Sequence, residues 1–339
     1  MIKGGVKALG KKEEELIIGE EKVLRELTRI ATKNAGEEKL FTLLASQKSM
    51  TEISSEKRFV KNETLEKWLS FLANQGVLEK QGDLFSTTTH TEEKRKEISQ
   101  LSPPLLEEIR KYPQILRYQR LNQVFVPYIK NETEREPMQK ELWLYDAIAG
   151  STLDEIRREY VMEKANLKKN KETYVCIIGQ ETGYSIKTVL DITDGRVFEI
   201  EGMCFNQEFK KAADYVVDIY NIKEASITVI KDLENISRYT ARNDYDYVFI
   251  FDGLQYFPDS PSLKNITEQV QNILKPEGVF AGTTFFTGEA YDEWINHVIA
   301  EFKSYPDKEK FNATLVNSGF KQVKFYEKPW YAFTAKKEK

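Results

Sequence analysis

Asp246-Tyr-Val-Phe-Ile-Phe-Asp-Gly-Leu-Gln-Tyr-Phe-Pro-Asp259 reads as a buried strand running into a short loop of bulky side chains. A periodic helix follows, and then Leu274-Lys-Pro-Glu-Gly-Val-Phe280, a tight turn into a second strand. Strand, crossover helix and strand in that order make half of a parallel sheet, with a ligand crevice outside the carboxyl ends of the strands. The alternation extends both ways, with strands at 173–178, 197–200, 227–230, 247–251 and 279–284 and helices between them. A helix at 311–318, stopped at Gly319-Phe320, leads to strands at 323–326 and 331–334. The fold class is therefore α/β.

This segment resembles the middle of a class I S-adenosylmethionine-dependent methyltransferase. In that family the loop after the fourth strand faces the substrate, and a Leu-Lys-Pro-x-Gly turn leads into the fifth. The resemblance covers 171–339 and implies a Rossmann-like methyltransferase sheet, closed by the antiparallel pair at its end.

Strand-to-helix turns at such an edge bind ligands because helix amino termini present free N–H groups and glycine permits close approach. Gly179-Gln-Glu-Thr-Gly183 stands at that position, and the resemblance makes Gly179, Glu181 and Gly183 the cofactor loop. The family usually has an acid two positions before the first glycine and another glycine two positions after it. This chain has Ile177 and Glu181 there. A side chain at 181 crowds the methionine part of the cofactor and sets carboxylate against carboxylate unless it points away. Downstream, Glu201 ends the strand 197–200, where an acid accepts hydrogen bonds from ribose hydroxyls. Asp232 ends the next strand, where the family pairs an acid with the adenine amino group, and Leu233 follows it. The spacing suits a methyltransferase better than a nicotinamide enzyme, which has a denser glycine fingerprint.

Methyl transfer is an in-line displacement in which positioning supplies much of the rate. An oxygen acceptor must also lose a proton, and in O-methyltransferases a histidine after the fourth strand commonly takes it. Gln255 stands there, and glutamine orients a group without acting as a base. Three explanations stay open: an acceptor needing little base help, another base among Asp252, Tyr256 and Glu289, or lost catalysis. Asp252 and Tyr256 rank first because their loop faces the cofactor edge, and Glu289 reads as surface.

The amino-terminal part has a different pattern. A helix spans about 13–46, a short one 50–59, and Asn62 caps another that buries Leu65, Trp68, Leu69 and Leu72. Residues 76–85 form a hairpin turning at Gly82-Asp83. The arrangement is a winged helix, and small-molecule O-methyltransferases commonly dimerise through such a domain. The would-be recognition helix offers Glu63 and Glu66 with one Lys67, so it neutralises phosphate poorly. Domains are expected at 1–100 (winged-helix dimerisation domain), 101–170 (helical linker and substrate lid) and 171–339 (methyltransferase domain). Pro103-Pro104 mark the first boundary, and the linker aromatics from Tyr112 to Tyr145 either touch a flat acceptor or pack the domains.

Across 339 residues, 50 basic and 54 acidic side chains leave a formal charge of −4, without the positive field that draws a protein to nucleic acid or membrane. No apolar run is long enough to span a bilayer and the amino terminus lacks a secretion signal, so a soluble cytoplasmic protein is expected. Cys176 and Cys204 sit in apolar stretches, which argues against disulfides and a Cys-based metal cluster, and no metal is expected. His90 and His297 read as surface residues. The expected function is S-adenosylmethionine-dependent methyl transfer to a small-molecule acceptor by a homodimer. The alternatives are a catalytically degenerate methyltransferase-like binding or regulatory module and a ligand-sensing transcription factor.

Overall fold

The computed structural model describes residues 3–167, 173–179, 182–197, 199–230 and 233–338. It divides into two compact units, one of Ile17–Leu144 with Tyr291–Phe302, the other of Tyr145–Ala290 and Lys303–Lys339 with the start of the first helix.

The chain opens with α1 (Lys3–Glu37), which buries Leu16, Val23, Leu27 and Ile30 at helical spacing. Lys39, in the left-handed region at φ 54°, separates it from α2 (Leu40–Leu43). Then come β1 (Lys48–Ser49), α3 (Met50–Lys57) and α4 (Asn62–Asn74). Ser49 caps α3 in a reciprocal capping box with Glu52. Asn62 does not cap α4. The cap position belongs to Lys61, and the Asn62 Oδ1 instead accepts from Ser54 Oγ at 2.7 Å. Strands β2 (Glu79–Gln81) and β3 (Leu84–Ser86) turn at Gly82, φ 60°, and complete a three-stranded antiparallel sheet ordered β1-β3-β2. Helices α5 (Thr89–Ser99), α6 (Leu106–Lys111), α7 (Pro113–Ile129) and α8 (Leu142–Ala149) follow.

Helix α9 (Thr152–Lys164) precedes the larger sheet, built from β4 (Tyr174–Gly179), α10 (Thr182–Thr193), β5 (Glu199–Cys204), α11 (Gln207–Ile219) and β6 (Ala225–Val229). It continues with β7 (Tyr245–Phe251), α12 (Ser260–Ile273) and β8 (Leu274–Thr283). The short α13 (Glu293–Asn296) belongs to the helical unit, and α14 (Lys308–Asn317), β9 (Phe320–Tyr326) and β10 (Ala332–Lys337) end the chain. The seven strands run β6-β5-β4-β7-β8-β10-β9, the first five parallel and β10 antiparallel to both its neighbours. This is the α/β sheet expected from the sequence.

Its apolar runs are buried on both faces, as parallel strands require. Ile178, Val248, Ile250 and Phe280 join Leu263, Ile266 and Val270 of α12 in one core, and both cysteines are buried thiols. In the helical unit Trp68, Phe125 and Trp294 form an aromatic centre, with Phe125–Trp294 centroids 4.6 Å apart and edge-on. His297 lies beside Phe302 and is only 2% exposed, which overturns the surface reading. Burial, reinforced by Lys67 and Arg135, lowers its pKa to about 3. Among the described residues no helix is long and apolar enough to cross a membrane.

Candidate functional site

The chain winds from β4 outward through β5 to β6, then restarts on the other side of β4 with β7 and β8. Such a reversal opens a crevice where the carboxyl ends of the two central strands diverge. Gly179 and Phe251 are register partners there. Gly179 has φ 145°, and a Cβ would lie 2.8 Å from the Phe251 carbonyl oxygen, so the approach of the strands alone demands glycine. Thr182 opens α10, its hydroxyl donating to the Gly179 carbonyl at 2.9 Å.

Gly183 has a different task. A Cβ there would meet Ala213 Cα and Val216 Cβ, each at 2.9 Å, so this glycine lets α10 and α11 touch. Glu181 and Asp232 lie outside the described residues. Leu233 opens the 3₁₀ turn Leu233–Arg238.

Glu201 is not at the crevice. Strand β5 runs on to Cys204, and Glu201 pairs in mid-strand with Cys176 on one side and Ser226 on the other. It is 2% exposed, accepting from the Tyr245 hydroxyl and from the Ala241 N–H at 3.1 Å. Desolvation raises its pKa against those two donors. The carboxyl end of β5 instead holds Cys204, whose thiol burial pushes up to about 11, followed by Phe205 and Asn206. Asn206 is committed to capping α11, accepting from the N–H groups of Glu208 and Phe209.

Asp252, Gln255 and Tyr256 come together on the loop after β7. Asp252 adopts φ 43°, a strained conformation for a residue other than glycine. Its Oδ1 accepts from Thr283 Oγ1 at 3.1 Å, which ties the loop to the end of β8. Gln255 Nε2 donates to the Asp252 carbonyl at 2.5 Å, while its Oε1 is buried without a partner. Tyr256 is 7% exposed and packs edge-on to Phe205 at 6.2 Å, with Phe257 on the same ring at 5.9 Å. Phe205 lies beyond the strand 197–200 that the sequence pattern predicts, because β5 continues to Cys204. Glu289 is exposed and pairs with Lys308 at 3.5 Å.

The crevice therefore combines a glycine edge, a helix amino terminus, a half-buried aromatic face and one strained carboxylate. A nucleoside-bearing cofactor suits the first three, whereas the expected ribose acceptor, Glu201, is spent inside the sheet. No family model matches the sequence, and no curated protein does. Solved structures do. The chain is similar to the CurJ carbon methyltransferase (15% identity, TM-score 0.67, 98% of this chain and 97% of that one) and to the DszA carbon methyltransferase (12% identity, TM-score 0.69, 97% and 93%). It is also similar to an O-methyltransferase family 2 protein from Planctomyces limnophilus, solved in complex with apigenin (11% identity, TM-score 0.54, 96% and 95%). Over nearly its whole length, the chain has the fold of these methyltransferases.

Proposed function

We propose that the protein is an S-adenosylmethionine-dependent methyltransferase acting on a small-molecule acceptor. The reversal of strand order between β4 and β7, with Gly179 at its mouth, carries the reading. When bound, the cofactor supplies a methyl group made electrophilic by its sulfonium. Gly179 and the amino terminus of α10 would cradle its methionine part, and Phe205 offers a ring face for the base. Asp232 and Leu233 remain the proposed adenine contacts, with Glu181 bordering the loop.

Asp252 is the best placed group to accept a proton from the acceptor, being half-buried and aimed by the Thr283 hydroxyl. Gln255 positions it through the Asp252 carbonyl, and Tyr256 closes the apolar side with Phe205. The β1-β3-β2 sheet with α3 and α4 supports reading the first hundred residues as a winged helix, which we propose as the homodimerisation domain, with 101–170 as linker.

A second reading, a binding module that has lost catalysis, draws on two observations. Cys204 rather than an acid ends β5, and both histidines of the chain, His90 and His297, lie in the helical unit. Isothermal titration with S-adenosylhomocysteine tests the cofactor assignment, and absence of heat at millimolar ligand overturns it. Binding without methyl transfer to any of a panel of phenols, amines, thiols and activated carbon acids favours the second reading.

A further inference from the structure

The helical unit contains a cavity of about 480 Å³ between α1, α2 and α5 that the proposed chemistry does not use. Its apolar wall is Phe41, Ile98 and Leu101, and its cations are Arg29, Lys33, Arg95 and Lys96 against one acid, Glu92. Such a size and lining suit a small ligand with an apolar body.

The cations are not equivalent. Arg29 is satisfied in bidentate fashion by Glu26, at 2.7 and 2.8 Å, and the exposed Lys33 faces Glu37 at 3.6 Å. Arg95 has no such partner. Its guanidinium lies over the Phe41 ring at 4.3 Å, its nearest carboxylate oxygen, on Glu92, is 3.8 Å away, and its Nε is buried with no acceptor. Burial lowers its pKa, the mark of a cation short of compensating charge.

Thr32, also in the lining, is 7% exposed, and its buried hydroxyl lacks a partner too. One turn earlier, Thr28 shows the usual solution, its hydroxyl donating to the Leu24 carbonyl at 2.8 Å. Buried polar groups ordinarily find partners, and the side chains that carry these two unpartnered atoms both line the cavity.

We propose that this cavity binds a small organic carboxylate, its head on Arg95 and Thr32 and its apolar body against Phe41, Ile98 and Leu101. A guanidinium presents paired N–H donors in the geometry a carboxylate accepts, and this one is held over the Phe41 ring. Phosphate shares the charge but has nothing to lay on the apolar wall.

Isothermal titration of the full-length protein with decanoate, 1-decanol and inorganic phosphate tests the assignment. Decanoate binds once per chain, and decanol and phosphate bind at least about tenfold more weakly. Arg95→Leu loses at least about tenfold in decanoate affinity, and the isosteric Thr32→Val, the gentler change to the fold, loses about threefold. Circular dichroism confirms that each variant is folded. No decanoate binding at millimolar concentration overturns the proposal, including the case in which light scattering shows a second copy closing the cavity. Decanol binding as tightly as decanoate, or both folded variants binding decanoate like the parent, overturns it equally.

Discussion

Tyr245 donates its phenolic hydrogen to the Glu201 carboxylate inside the large sheet, linking the start of β7 to the middle of β5 across β4. Both residues are almost wholly enclosed, at 0% and 2% exposure. The pair explains how a carboxylate survives there, and its enclosure in mid-sheet keeps it from a ribose.

Tyr245→Phe removes one of the two donors to a buried carboxylate and is expected to cost about 1–3 kcal/mol. Glu201 has a folded pKa above its unfolded value, so its contribution favours folding at low pH and is lost as pH rises through the folded value. Without the hydroxyl that pKa rises further, so urea unfolding shows a larger deficit at pH 7 than at pH 5. Glu201→Gln leaves S-adenosylhomocysteine affinity within about twofold of the parent, whereas a ribose acceptor would lose about tenfold or more.

Phe205→Ala removes the ring beside the crevice. An aromatic contact is worth about 0.5–1.5 kcal/mol, so S-adenosylhomocysteine binding weakens by roughly two- to tenfold. Unchanged affinity in a titration of the folded variant assigns Phe205 to packing with Tyr256 and Phe257 alone.

At position 252, conformation and chemistry separate cleanly. Asn tolerates the left-handed region and can still accept from Thr283, so Asp252→Asn retains stability within about 0.5 kcal/mol. Asp252→Ala loses both advantages and about 1–2 kcal/mol, measured by urea unfolding. If Asp252 takes the acceptor's proton, the Asn variant loses methyl transfer while keeping its fold and its cofactor affinity. Retained transfer assigns the proton elsewhere.

His297 makes the helical unit sensitive to mild acid. Its folded pKa, lowered to about 3, lies below the ordinary value of 6.5. The neutral ring's contribution is complete above pH 6.5 and is lost as pH falls toward 3, at up to about 1.4 kcal/mol per pH unit. Unfolding free energy should decline between pH 7 and 5.5, and His297→Gln should flatten that segment. Parallel profiles for parent and variant would show that the ring does not govern it.

The alternation of strands and helices, the turn at Gly82 and the burial of Trp68 were legible because local pattern and tertiary structure agree there. The misreadings come from distant partners. Glu201 ended a predicted strand because a charge interrupts the apolar run, yet Tyr245 and Ala241, some forty residues on, supply the donors that let β5 continue. His297 lies in the apolar run Trp294-Ile-Asn-His-Val-Ile299, which already points to burial, and it is covered from α4 and the 302 region. Asn62 had the right side chain for a cap, but Ser54 engages it and the helix starts one residue early. Gly183 matched a ligand-loop motif and serves the contact between two helices.

The assignment of Tyr291–Phe302 to the helical unit makes that body discontinuous in the gene. An expression fragment stopping at Leu144 would leave Phe125 and Trp68 without the Trp294 indole that meets them edge-on and stacked. Neither half can be excised with a single cut, so swapping the amino-terminal module between homologues requires transplanting a dodecapeptide from between β8 and α14 as well.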